Sequence, residues 1–173
     1  MDETVYSAES LETADSAAPR QTAGTLPREG SLTVVSVNVS ARKGEKKRPV
    51  GSATLTADHG IEGDAHAGPW IRQVSLLGEE DIAEMRGRGV EIHPGDFAEN
   101  LTVEGIRLAS LPVGTHIALG EAGLEVSKIG KECHYGCAIR QAVGDCVMPR
   151  SGIFARVVKG GTVRDGDTGL YRL

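Results

Sequence analysis

The chain is 173 residues long, about one domain, with 39% hydrophobic residues, 3% aromatics and a formal net charge of −5; a core of this size stands without disulfide or metal staples. No stretch reaches the ~18 consecutive apolar residues of a membrane span, and the acidic opening Met1-Asp2-Glu3 lacks the apolar run of a secretory signal, so a cytoplasmic protein with no membrane contact is expected. Residues 1–30 carry six acids and two bases, which leaves the remainder nearly neutral and without the basic face that a nucleic-acid partner requires.

Residues 1–30 are rich in Ser, Thr, Ala and Glu. Their apolar periodicity is too weak to offset the entropy of ordering, which predicts a disordered tail; residues 31–173 are expected to form the domain. Leu32 to Val39 is β-rich with partial alternation and reads as a strand. Arg42 to Arg48 is a basic loop, either solvated or a local anion site. Val50 to Ala57 alternates as a second strand. Asp58 to Pro69 holds three glycines, two histidines and three acids, the composition of a long loop of the kind that is usually functional or mobile.

Gln73 to Leu77 reads as a short buried strand and Gly78 to Gly89 as the clearest helix. Its acids lie in the first turn and Arg86 and Arg88 near the end, as the helix dipole favours. Pro94-Gly95-Asp96 is a turn. Asn100 to Val103 and Ile106 to Leu108 are expected as short strands. His116 to Leu119 and Leu124 to Ile129 flank Gly120-Glu121-Ala122-Gly123, a hairpin signal. Cys137 to Val143 suits a short helix. Gly152 to Val158 suits helix or strand, and Leu170 to Leu173 a last strand. Many short strands with one firm helix point to an all-β barrel or sandwich with a few short helices.

Three cysteines without an export signal argue against a disulfide framework. Cys133, Cys137 and Cys146 fall within 14 residues of one another. Lys131 and His134 flank Cys133, and nearby positive charge raises the thiolate fraction that makes a cysteine a nucleophile or soft metal ligand. A small buried thiol is the alternative. The same three cysteines with His134 or His66 could instead hold zinc as three thiolates and one imidazole, in a non-catalytic structural module.

The Gly60–Gly68 loop could bring backbone N–H groups to an anion, with His66 as a donor or simply a solvated side chain. In Pro94 to Leu101, Asn100 is a candidate ligand contact or ordinary capping chemistry. Arg150 and Arg156 carry forks suited to phosphate, or are solvated.

Five blocks in order carry a resemblance: Gly63-Asp64-x-His66-x-Gly68; Gln73-Val74-Ser75-Leu76-Leu77; Pro94-Gly95-Asp96-Phe97-x-Glu99-Asn100-Leu101; Gly130-Lys131-x-Cys133; and Met148-Pro149-Arg150-x-Gly152-Ile153-Phe154-Ala155-Arg156-Val157. The chain resembles the MOSC domain, the C-terminal domain of molybdenum-cofactor sulfurases, in its small stand-alone bacterial type, over residues 32–173. The resemblance implies a mainly β, pyruvate-kinase-like barrel. It also implies binding of the molybdenum cofactor (molybdopterin with molybdenum or tungsten) and a motif cysteine, here Cys133, that carries sulfur as a persulfide or ligates the metal. Asn100 and His66 match the family's blocks and, with one of Arg150 or Arg156, would hold pterin or phosphate; Lys131 and His134, beside Cys133 in the cofactor site, would favour its thiolate.

Larger relatives carry a pyridoxal-phosphate desulfurase domain or reduce N-hydroxylated compounds with electron-transfer partners. This chain is too short for a desulfurase, so the resemblance implies a sulfur donor such as a cysteine desulfurase, or molybdoenzyme maturation partners. Reduction of N-hydroxylated compounds is the alternative activity.

Overall fold

The computed structural model describes residues 26–132 and 138–173. Its eleven strands are β1 (Glu29–Val39), β2 (Arg48–Pro49), β3 (Ser52–Thr56), β4 (Gly60–Ile61), β5 (Val74–Gly78), β6 (Leu101–Glu104), β7 (His116–Leu119), β8 (Ala122–Ile129), β9 (Ile153–Lys159), β10 (Gly161–Arg164) and β11 (Thr168–Arg172). The helices are α1 (Glu79–Arg86), α2 (Ala138–Val143) and α3 (Met148–Ser151).

Seven strands close a barrel in the order β11-β7-β8-β9-β5-β6-β1, with β1 pairing back onto β11. Only β5 and β6 run parallel. The expected mainly β barrel with few short helices is the fold observed. Alternation fills its interior: Ile117 and Leu119, Leu124 and Val126, Ile153, Ala155 and Val157, and Leu101 and Val103 point inward and are buried. β10, β3 and β4 form a side sheet whose Leu55, Ile61 and Val163 join the same core.

The partial alternation of β1 has a local cause. Its register with β6 shifts between Val34 and Ser36, so Val34 and Val37 both reach the core. The turn at 165–167 fastens the irregularity: Val34 N–H donates to Asp167 O at 2.9 Å and Val37 N–H to Asp165 Oδ1 at 2.7 Å. β5 is buried along its whole length. Val74 and Leu76 face the barrel, while Leu77 faces a second cluster with Ile82 and Met85 of α1, Phe97, Cys146, Val147 and Met148. A strand covered on both faces reads as a continuous apolar run.

Three expectations change. Ile106 to Leu108 is not a strand: Gly105 turns the chain at φ +96° and Leu108–Ser110 is a single 3-10 turn. Both ends of the expected strand are buried all the same. The long loop contains the two-residue β4. β1 begins at Glu29, within the stretch read as tail, because Glu29 and Gly30 pair with Arg172 and Tyr171 to close the barrel.

Candidate functional site

Backbone bonds bring the Gly63–Gly68 and Pro94–Leu101 blocks to one end of the barrel, where β1 ends and β6 begins. Asn38 N–H donates to Asn100 O at 2.7 Å, Lys47 N–H to Gly95 O at 2.9 Å and Ala65 N–H to Ser40 O at 2.8 Å. A second set of bonds joins the last two blocks to each other: Gly130 N–H donates to Gly152 O at 2.7 Å and Lys131 N–H to Met148 O at 3.1 Å. Two of these approaches require glycine. At Gly95 (φ +90°) an added Cβ would overlap the Lys47 carbonyl oxygen, and at Gly130 (φ +76°) that of Pro149.

The mouth is polar and buried. Asp64 and Lys47 have fully buried side chains and pair at 2.5 Å. Asp64 Oδ2 also accepts from Ser40 N–H at 3.1 Å, and Oδ1 from His66 N–H at 2.9 Å. Burial works against the ionised form of Asp64. The nearby His66 ring, the Lys47 ammonium and the main-chain N–H groups of His66 and Ser40 outweigh it and hold the carboxyl well below the usual range. Burial lowers the Lys47 ammonium, against the pull of Asp64; the Lys131 charge lowers it further and Glu99 opposes. Lys131 therefore lies within electrostatic reach of the buried pair.

His66 is at the rim. Its Nδ1 is 3.3 Å from Lys47 Nζ. Its ring lies parallel to Trp70 within 7°, with centroids 6.5 Å apart, and Trp70 Nε1–H donates to the His66 carbonyl at 2.7 Å. Lys43 Nζ stands 5.7 Å over the Trp70 ring.

Asn100 lies deeper, and its side-chain amide bridges strands. Oδ1 accepts from Ser75 N–H at 3.1 Å and Ser75 Oγ at 3.0 Å, while Nδ2 donates to Asn38 O at 3.2 Å. Beside it, Glu99 is fully buried and accepts from Gly95 N–H at 2.5 Å, Thr102 Oγ at 2.9 Å and Phe97 N–H at 3.2 Å. Burial pushes the Glu99 carboxyl up, with these bonds opposing it.

The two arginines do not join this group. Arg150 bonds Asp145 at 2.7 Å and Glu84 at 3.1 Å, alongside Arg88. Arg156 bonds Glu125 at 2.9 Å on the outer barrel wall. Cys133, His134 and Cys137 lie outside the described residues, and Cys146 is buried in the second apolar cluster. A groove of about 770 Å³ lies on the outer wall along Glu29–Ser31, His116, Ala118 and Leu170–Arg172. None of the described residues picked from sequence lines it.

Lys47, Asp64 and Glu99 were not singled out from the sequence as individual site residues. Asp64 and Glu99 stood within the motif blocks. Lys47 stood in a run of bases, where nothing marks the single lysine that turns inward.

A family model for the MOSC domain matches residues 63–168. No curated protein matches the chain. Among solved structures, the YuaD protein of Bacillus subtilis is similar at TM-score 0.70 and 21% identity, covering 84% of this chain and 98% of its own. YiiM of Geobacillus stearothermophilus is similar at TM-score 0.65 and 22% identity, covering 82% and 75%. YiiM of Escherichia coli is similar at 0.57 and 21%, covering 82% and 69%.

Proposed function

The chain belongs to the MOSC domain family, which is associated with the molybdenum cofactor, and on that footing we propose that its polar barrel end binds this cofactor with Cys133 as the reactive sulfur. One observation carries the reading. The His66 loop and the Asn100 block meet at one end of the barrel, and Lys131, two residues before Cys133, acts electrostatically on the Lys47 buried there.

The residues there suit the group. Molybdopterin is an anion that carries a phosphate, and the loop 42–48 offers four exposed bases against the single acid Glu45. Lys131 adds a cation beside the buried Lys47. Lys131 and the exposed bases of that loop would hold the phosphate, and His66 a polar edge of the pterin. Asn100 acts one step back, fixing the strand ends that support the pocket. His134 keeps the role of favouring the Cys133 thiolate. Arg150 and Arg156 are engaged by carboxylates and are weaker candidates than Lys131. When bound, the cofactor supplies a metal centre that exchanges sulfur or oxygen. Cys133 would either hold the metal as a thiolate or carry a sulfane sulfur passed to it from the persulfide of a desulfurase-type donor.

Expression in a host that makes the cofactor tests this. Molybdenum and pterin near one per chain are expected in the wild type, with loss of metal in Cys133→Ala. Persulfide carriage would add one sulfur, about 32 Da, to Cys133 in freshly purified protein. Wild-type protein lacking metal, pterin and added mass would overturn the reading.

A further inference from the structure

A hydrogen count at the barrel mouth fixes a proton. An ammonium has three N–H donors and no acceptor, whereas each nitrogen of a neutral imidazole is either a donor or an acceptor. Nδ1 of His66 lies 3.3 Å from Lys47 Nζ. It lies 3.6 Å from Asp64 Oδ1, beyond hydrogen-bond range, and that oxygen already accepts the main-chain N–H of His66. Asp64 Oδ2 holds the Lys47 ammonium. The other charges that act on Lys47 are Glu99, which favours the ammonium, and Lys131, which opposes it. A charged Lys47 leaves Nδ1 only the acceptor's role, so the ring hydrogen sits on Nε2.

We propose that Lys47 and Asp64 are positioning residues that lock neutral His66 in its Nε2–H tautomer. The ring then offers an N–H donor, beside the partly exposed Trp70, to an acceptor atom of a ligand. The His66 side chain is 27% exposed, enough for a ligand to reach it. Trp70, the chain's one tryptophan, is 40% exposed with Lys43 Nζ over its ring, so a ligand reaching His66 would meet that aromatic and cationic edge. A ligand edge that carries only N–H donors would be rejected, because two facing donors leave both unsatisfied. The inference rests on the reading that this barrel end receives a ligand, but the tautomer is a property of the ligand-free protein and is measured there.

The test is long-range ¹H–¹⁵N correlation on the full chain with labelled histidine, at mildly alkaline pH. The wild type is expected to show His66 with an acceptor-type Nδ1 and a protonated Nε2, and Lys47 as an ammonium protected from exchange. Lys47→Met should shift His66 toward the Nδ1–H form, and Lys47→Arg, which keeps a donor, should restore the original pattern. A dominant Nδ1–H form in the wild type, a neutral Lys47 amine, or a pattern unchanged in folded Lys47→Met would overturn the proposal. If Lys47→Met does not fold, the wild-type histidine and lysine spectra decide alone. Molybdenum content is read separately. Metal retained with the wrong tautomer counts against this inference only, and the right tautomer without metal counts against the cofactor reading only.

Discussion

Asp64 and Glu99 are both buried carboxylates at one barrel end, yet they respond to pH in opposite directions. Asp64 is held below its ordinary value by hydrogen bonds and the Lys47 pair. Its stabilisation is therefore complete above the unfolded value of about 4 and is lost as pH falls toward the depressed folded value. Glu99 is raised by burial, so the native state binds its proton more tightly than the unfolded chain. Stability then falls as pH rises from the ordinary carboxylate value through the raised one. Denaturant titrations across the acid range should show Asp64→Asn with a flatter acid limb than the wild type. Gly95→Ala tests the neighbouring close approach. A Cβ at positive φ, overlapping a carbonyl oxygen, should cost at least about 2 kcal/mol in the same measurement. Gly95 was legible as a turn residue from Pro94-Gly95-Asp96. Its second reason for being glycine, the Lys47 carbonyl, comes from a loop 48 positions earlier in no local pattern, and only the fold reveals it.

At the scale of elements, the seam between β1, β6 and β5 depends on Asn100. The amide links the β5 backbone at Ser75 to the β1 backbone at Asn38, across the only parallel pair in the barrel. Asn100→Ala strands a buried N–H and a buried carbonyl at once, so a loss of about 2–4 kcal/mol is expected, read as a lower denaturant midpoint with an unchanged slope. Arg150→Ala is the contrasting case. Its partners Asp145 and Glu84 are exposed and Arg88 remains to pair with both. A small drop in Tm that disappears in high salt is expected. The elements themselves were legible where alternation was clean, as in the 116–129 hairpin. Residues 152–158 suited helix or strand by period. Pairing on both sides settles them as β9, since Ile153 and Ala155 face into the barrel between β8 and β5. The 106–108 stretch failed as a strand because two buried residues two apart also fit a turn that dips into the core.

For the whole molecule, the stabilising event is closure. β1 and β11 pair from Glu29↔Arg172 to Thr33↔Thr168, a contact between the two ends of the domain that no local sequence pattern encodes. The strand count and turns pointed to a barrel or a sandwich without deciding between them; the β1–β11 pairing decides. β11 also pairs with β7, so deletion of residues 168–173 uncovers two strand edges at once. Exposed edges invite pairing with other chains, and this truncation is expected to melt without cooperativity and to aggregate. A rearranged chain separates closure from connectivity. Leu173 N–H donates to Arg28 O at 2.9 Å, so a short Gly/Ser linker can join Leu173 to Leu26. New ends can be opened between Val113 and Gly114, where Val113 is 61% exposed and the turn tolerates a break. That permutant keeps every strand pairing of the barrel. It should unfold in one cooperative step within a few degrees of a linear chain starting at Leu26, by calorimetry at matched concentration. A permutant that collapses like the truncation would mean that the covalent path through the 112–114 turn, and not the β1–β11 seam, holds the barrel shut.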